Sequence, residues 1–173
     1  MAESVMSAHQ AANLLRSLEG ADIRCWVMGG WGVDALVGRE TRDHHDLDLL
    51  VNVDDLPSLH AWLRCQGFRR LYEWDETRPV ENGGQYWETA FVEGYEDGRE
   101  LDVHAIHVAE DGTPTLATTD PWGLPHDVLM GAGVIAGRHV SCVSGAAQVM
   151  MHHGYELPPN HLDDLAKLDD EAH

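Results

Sequence analysis

The sequence predicts an α/β (α+β) fold, a mixed β-sheet flanked by helices, on three observations. Apolar residues recur at helical spacing at Leu14, Leu15 and Leu18, at Leu56, Leu59, Trp62 and Leu63, and at Leu162, Leu165 and Leu168. Short alternating or apolar runs of strand length lie between them. Two pairs of these runs are joined by turn signals, Asp97-Gly98 and Ala136-Gly137-Arg138, which call for antiparallel pairing rather than repeated βαβ units.

Each element has a local reason. Residues 5–18 suit a helix that Gly20 ends, with Ser7 as its N-cap if it starts later. A strand at 23–28 meets the pair Gly29-Gly30. A short helix at 31–37 follows and stops at Gly38. Residues 47–53 form the next strand, and Asp54 caps a helix closed by Gly67. A strand is expected at 68–74, a loop at 75–84 and a strand at 86–92. The run at 100–108 returns from the Asp97-Gly98 turn. A Thr-, Pro- and Gly-rich excursion runs to about residue 129, and 133–143 reads as a hairpin. Ser144 caps a helix ending at Gly154. After Pro158-Pro159, Asn160 with Asp163 three residues later opens the last helix.

The 173 residues suit a single domain, 1–173, with a small C-terminal helical part from about residue 144. Eleven basic against thirty acidic side chains leave a net charge of −19. Such a surface repels phosphate backbones, which argues against nucleic acid as a partner, and attracts a cationic small molecule. Cys25, Cys65 and Cys142 are odd in number and widely spaced, which predicts buried free thiols in a reducing cytoplasm. The N-terminal residues lack a basic n-region, and no run approaches 18 apolar residues. Neither a signal peptide nor a membrane span is expected. With no G-x-G-x-x-G and no G-x-x-x-x-G-K-[ST], the Rossmann and P-loop readings are excluded.

Chemistry concentrates in residues 27–51. Strand residues alternate faces, so Asp46 and Asp48 point one way while Leu47 and Leu49 point into the core. Two carboxylates so placed repel each other, and a hard divalent cation removes that cost. Two incidental acids on a solvated strand end are the bland alternative. Gly29-Gly30, between a strand and a helix, lets a phosphate approach backbone N–H groups at a helix N-terminus. Arg39 and Arg42 lie between the two elements, either to neutralise phosphate oxygens or to pair with nearby acids. A third acid would complete the site. In the run 100–104, Glu100, Asp102 and His104 share a face, and Asp102 is favoured over Glu100 and Glu88.

At these residues the chain resembles the nucleotidyltransferases of the DNA polymerase β superfamily, and among them the small lincosamide nucleotidyltransferases. The similarity rests on Gly29-Gly30-Trp31-Gly32-Val33-Asp34, on Arg42-x-His44-His45-Asp46-x-Asp48 and on Leu101-Asp102-Val103-His104. It extends to His152-His153-Gly154-Tyr155-Glu156-Leu157 and His161-x-x-Asp164, covering about residues 24–168. Aminoglycoside 2″-nucleotidyltransferases share the first two blocks and diverge towards the C-terminus.

The resemblance implies a polymerase β-type sheet and two Mg²⁺ ions held by Asp46 and Asp48, with Asp102 as third ligand or general base. It implies a nucleoside triphosphate, ATP or another, bound around Gly29, Gly30, Trp31, Arg42 and His45. The reaction would pass a nucleoside monophosphate to a hydroxyl of a small-molecule antibiotic, releasing pyrophosphate. Two departures, a longer segment at 73–99 and Ala105 where proline is expected, bear on the acceptor rather than the chemistry. Glu88, Glu93, His104 and Tyr155 are the acceptor candidates, and a homodimer could complete the site. The adjacent pair His152-His153 lacks i, i+4 spacing, which argues against zinc. Competing readings are an aminoglycoside nucleotidyltransferase, a toxin–antitoxin nucleotidyltransferase acting on protein or tRNA, and an inactive nucleotide-binding module.

Overall fold

The computed structural model describes residues 5–75, 78–118, 124–151 and 159–171. Helix α1 (Ala8–Gly20) starts three residues later than the apolar pattern suggested, because Ser7 closes a capping box. Its Oγ accepts from the Gln10 N–H at 3.3 Å, while its own N–H donates to Gln10 Oε1 at 2.8 Å. Ala11, Leu14, Leu15 and Leu18 form the buried stripe of this helix.

Strand β1 (Cys25–Met28) runs directly into α2 (Gly29–Val37), so the glycine pair is the helix's first turn rather than a loop before it. Strand β2 (Asp46–Asn52) follows, then a 3-10 turn and α3 (Leu56–Gln66). Asn52 caps the 3-10 turn, its side chain accepting from the Asp54 N–H at 3.4 Å, and α3 itself starts after Asp55 without a side-chain cap, so Asp54 caps neither.

The run expected at 86–92 divides in two. Strands β4 (Val80–Asn82) and β5 (Gln85–Trp87) form a separate two-stranded ribbon. Its turn is Gly83-Gly84, with φ of +65° and +79°, a conformation in which a Cβ is strained. Strand β6 (Ala90–Gly94) joins the main sheet instead, between β3 (Arg69–Glu73) and β7 (Glu100–Val108). The break falls at Thr89, whose Oγ donates to the Ala117 carbonyl at 2.7 Å and whose carbonyl accepts from the Ala105 N–H at 2.6 Å. The excursion after β7 holds β8 (Pro114–Leu116), and β9 (Gly131–Ile135) with β10 (Arg138–Cys142) is the expected hairpin. Helix α4 (Gly145–Met151) and helix α5 (Pro159–Glu171) close the chain, the expected end of α4 at Gly154 lying outside the described residues.

The main sheet has the order β3-β6-β7-β2-β1-β10-β9, with β8 on the outer end of β7. It is mixed, as expected: β2 and β7 are parallel, as are β1 and β10, and the other pairs are antiparallel. One face, with Leu47, Leu49, Val51, Leu101 and Val103, packs on α1 and α3 in the main core. The other face carries a smaller cluster of Leu50, Ile106, Val128, Val143 and Ala147. The acidic residues Asp46, Asp48, Glu100 and Asp102 lie beyond that cluster on the same face, against the start of α2. Among the described residues, no helix is long and apolar enough to cross a membrane.

Candidate active site

The register of β2 against β7 builds the site. Asp46 pairs with Glu100, Asp48 with Asp102 and Leu50 with His104. Partners in adjacent parallel strands share a face about 4.8 Å apart, so four carboxylates form a two-by-two block. Burial raises the carboxyl of Asp48 well above its ordinary value, and the charges of Asp46 and Asp102 raise it further. Glu100 is raised by burial and by the same two neighbours. These acids cannot all ionise cheaply without a cation.

The donors are all carboxylate oxygens, the set a hard divalent ion takes, and Mg²⁺ typically uses one or two carboxylates plus substrate phosphates. The block fits that demand at Asp46 and Asp48. Among the described residues, no three histidine, cysteine or acidic side chains already encircle one point. Asp102 is engaged by its neighbours: its Oδ1 accepts the Trp74 indole N–H at 3.1 Å and lies 3.2 Å from His104 Nε2.

The N-terminus of α2 abuts the block. Gly29 has φ +61°, and a Cβ there would lie 2.1 Å from the Asp48 Oδ2. A Cβ on Gly30 would lie 2.4 Å from Arg42 Nη2 and 2.5 Å from His44 Nδ1. Only glycine allows these contacts, which bring backbone N–H groups, an arginine and a carboxylate together.

Beneath this turn runs a buried polar network. His44 Nε2 lies 2.7 Å from Asp34 Oδ2, which also accepts the Thr41 N–H at 3.0 Å, and the Thr41 hydroxyl donates to Oδ1. Burial works to raise the Asp34 carboxyl, but the hydrogen bonds from His44 and Thr41 outweigh it and hold it below its usual value. Arg42 donates to Asp164 of α5 through Nη2 at 2.8 Å and Nε at 3.2 and 3.3 Å. Lys167 bridges the two groups, donating to Thr41 Oγ1 at 2.9 Å and reaching Asp164 Oδ1 at 3.4 Å.

Of the residues singled out from sequence, Asp46, Asp48, Asp102, His104, Gly29, Gly30 and Arg42 come together, with His45 exposed at the entry to β2. Trp31 lies beneath the turn of α2. It is 1% exposed and packs on the His44 ring, with centroids 4.4 Å apart. Glu93 also stands apart: it pairs with Leu101, on the core face, and its carboxylate accepts from Arg70 Nε at 2.8 Å. Glu88 lies half-buried between β5 and β6, and Tyr155 is outside the described residues. A cavity of about 260 Å³ lined by Glu19, Cys25 and Arg138 lies at the other end of β1 from Met28, the partner of Asp48.

Sequence reasoning passed over Tyr72 and Trp74. Tyr72 pairs with Val92, the partner of Asp102, and the Trp74 N–H bonds to Ala90, the partner of His104. Burial raises the Tyr72 hydroxyl, as do the charges of Asp102, Glu100, Asp46 and Asp48. The alternation that grouped Asp46 with Asp48 also puts Tyr72 and Trp74 on one face, and that signal was available in the sequence. Asp34 and Asp164 stood in the motif blocks without an assigned role; the partners of Asp34, Thr41 and His44, are near it in the chain, whereas Asp164 meets Arg42 from 122 positions away.

A family model described as aminoglycoside-2″-adenylyltransferase matches residues 10–168. A lincosamide resistance protein of Staphylococcus haemolyticus is 27% identical over 90% of this chain and 89% of its own. A 2″-aminoglycoside nucleotidyltransferase of Escherichia coli is 30% identical over 89% of this chain and 80% of its own. The fold is also that of the lincosamide antibiotic adenylyltransferase LnuA, solved with lincomycin bound. That match has a TM-score of 0.80 and 23% identity, covering 95% of this chain and 98% of the other. ANT(2″)-Ia, solved in complex with adenylyl-2″-tobramycin, matches with a TM-score of 0.71 and 23% identity over 95% and 90%.

Proposed function

The chain belongs to the aminoglycoside-2″-adenylyltransferase family, and from that premise we propose that it transfers a nucleoside monophosphate from a nucleoside triphosphate to a lincosamide hydroxyl. It is an enzyme of the antibiotic nucleotidyltransferase class. The observation that carries the finer reading is the β2–β7 register, which sets Asp48 beside Asp102 and Asp46 beside Glu100.

In this reading Asp46 and Asp48 would hold Mg²⁺, with Asp102 either completing a two-ion site or acting as general base. Bound Mg²⁺ would acidify the attacking hydroxyl and neutralise charge on the pyrophosphate leaving group. The N–H groups of the first turn of α2 bind phosphate oxygens, and Arg42, held against Gly30 by Asp164, adds positive charge. Asp102 takes the acceptor's hydroxyl proton. The oxygen lone pair bonds to the α-phosphorus as the bond to the bridging oxygen breaks, and pyrophosphate leaves with that electron pair. Trp31 and His44 support the turn from below.

A lincosamide acceptor such as lincomycin or clindamycin is supported by the near-complete reciprocal coverage with the lincosamide resistance protein. An aminoglycoside is the second reading, supported by the 30% identity to the E. coli relative. The test is to incubate the protein with Mg²⁺ and each nucleoside triphosphate against lincomycin, clindamycin, tobramycin and tRNA, and to weigh the products. A nucleoside-monophosphate adduct on a lincosamide is expected. An adduct on tobramycin alone moves the assignment to the second reading. No adduct, with no Mg²⁺-dependent nucleotide binding, overturns both. Light scattering of the same samples tests whether a homodimer forms.

A further inference from the structure

The rim beside the acid block carries exposed aromatic side chains that the chemistry above does not use. Tyr72 is 46% exposed and Trp74 41% exposed, both on β3 or its end at the edge of the sheet. Their rings meet edge to face with centroids 5.2 Å apart. Trp74 also stacks on His104, at 6.3 Å and 26° between planes, while its indole N–H donates to Asp102 Oδ1. One indole therefore touches both the proposed base and the solvent-facing wall beside it.

We propose that Trp74 does two separable things for the transfer. Its N–H, with His104, occupies Oδ1 of Asp102 and so presents Oδ2 to the acceptor hydroxyl, which makes Trp74 a positioning residue. Its ring, with Tyr72, forms a wall for the apolar face of a saturated ring that carries a protonated amine. The amine then points towards Glu100, the carboxylate of the block that neither holds Mg²⁺ nor takes the hydroxyl proton in that reading, and the charge complementarity selects a cation. Aromatic rings at this rim cost solvation unless something covers them, and a ring-bearing cation covers them while meeting the acids. This inference rests on the antibiotic-acceptor reading above.

Two variants separate the roles. Trp74→Phe keeps a stacking face and removes the N–H. Trp74→Ala removes both. Binding of lincomycin and of Mg²⁺–nucleotide is measured by calorimetry, and kcat and KM by transfer assay. Trp74→Phe is expected to lower kcat roughly 10-fold, as for loss of a hydrogen bond to a charged group, with acceptor affinity within about twofold of wild type. Trp74→Ala is expected to lower kcat likewise and to weaken lincomycin binding about 10-fold. Neither is expected to change nucleotide affinity.

A wild-type kcat in Trp74→Phe overturns the positioning role, and wild-type lincomycin affinity in Trp74→Ala overturns the wall. Equal loss of nucleotide affinity in both variants marks a structural role and overturns the proposal. If wild-type protein binds neither lincomycin nor tobramycin, the acceptor reading fails and the wall with it. In that case the Trp74 indole resonance still tests the hold on Asp102. It is expected to move in Asp102→Ala, and an unmoved resonance overturns the positioning role.

Discussion

The acid block is flanked by two dissimilar neighbours. On the α2 side, Asp34, His44, Thr41, Asp164, Lys167 and Arg42 form a continuous set of hydrogen bonds, with Asp34, His44 and Asp164 at most 2% exposed. On the β3 side, Tyr72 and Trp74 stand more than 40% exposed, and their link to the block is the indole bond to Asp102. One side is built before any ligand arrives, while the other is a rim on which a ligand can settle. Rigid donors suit a partner whose chemistry never varies, as a triphosphate's does not. A sparsely bonded aromatic rim suits an acceptor that changes from one relative to the next. The named relatives differ in this respect, one being a lincosamide resistance protein and another a 2″-aminoglycoside nucleotidyltransferase.

The largest effect should come from the block itself. Asp48→Asn is expected to abolish Mg²⁺-dependent nucleotide binding in calorimetry, since it removes one of the two carboxylates proposed to hold the ion. Unchanged binding there would detach the metal from this pair. Asp102→Asn is expected to leave nucleotide binding intact and cut turnover by at least about 10²-fold. Wild-type turnover would remove Asp102 from the role of base.

Next comes the α2 side. Asp164→Ala leaves the Arg42 guanidinium, about a quarter exposed, without its carboxylate. Breaking a fully buried pair costs roughly 3–5 kcal/mol, and the partial exposure of Arg42 reduces that to about 2 kcal/mol. A lower Tm is expected, with nucleotide affinity falling roughly 10-fold and acceptor affinity unchanged. If acceptor affinity fell in parallel, the two sides would not be independent.

The smallest effect probes what lies under the rim. His60 of α3 stacks between Trp87 of β5 and Phe91 of β6, at 5.0 and 4.8 Å, and its buried Nε2 has no hydrogen-bond partner among the described residues. Burial lowers its pKa to about 4, aided by the charges of Arg70 and Arg64. The unfolded chain, with an imidazole near 6.5, then binds the proton that the folded chain refuses. Stability is full above about pH 6.5 and declines as pH falls towards 4, by about 1 kcal/mol once solvent around the partly exposed ring is allowed for. His60→Phe should flatten that part of the Tm–pH curve. An unchanged slope would show that another group controls acid stability.

Local periodicity made much of this molecule legible. Alternation put Asp46 with Asp48 on one face of β2 and Asp102 with Glu100 on one face of β7, while the joining of the two pairs came from the family resemblance and is seen in the register. The Ser7 cap and the Asp97-Gly98 turn are likewise local in origin. Legibility ended where a distant partner decides. Thr89 leaves the strand because Ala105 and Ala117 hold it, so one apparent strand becomes two. Glu93 looked available for a ligand, but Arg70, which lies over the Phe91 ring at 4.1 Å, claims it on the core face. Arg42 posed a choice between phosphate and an ion pair, and its partner in the fold, Asp164, is named by no pattern in its vicinity.

That last pair also has a consequence for synthesis. Arg42 and Asp164 are 122 positions apart in the chain. The carboxylate block can pair while a nascent chain is still growing, because β2 and β7 both precede β8, whereas α2 packs on β9, α4 and α5, which come later. Arg42 gains its anchor only when α5 has been made and has docked. A ribosome-bound intermediate should therefore hold its carboxylates in register yet grip triphosphate poorly, and competence should arrive late and in one step.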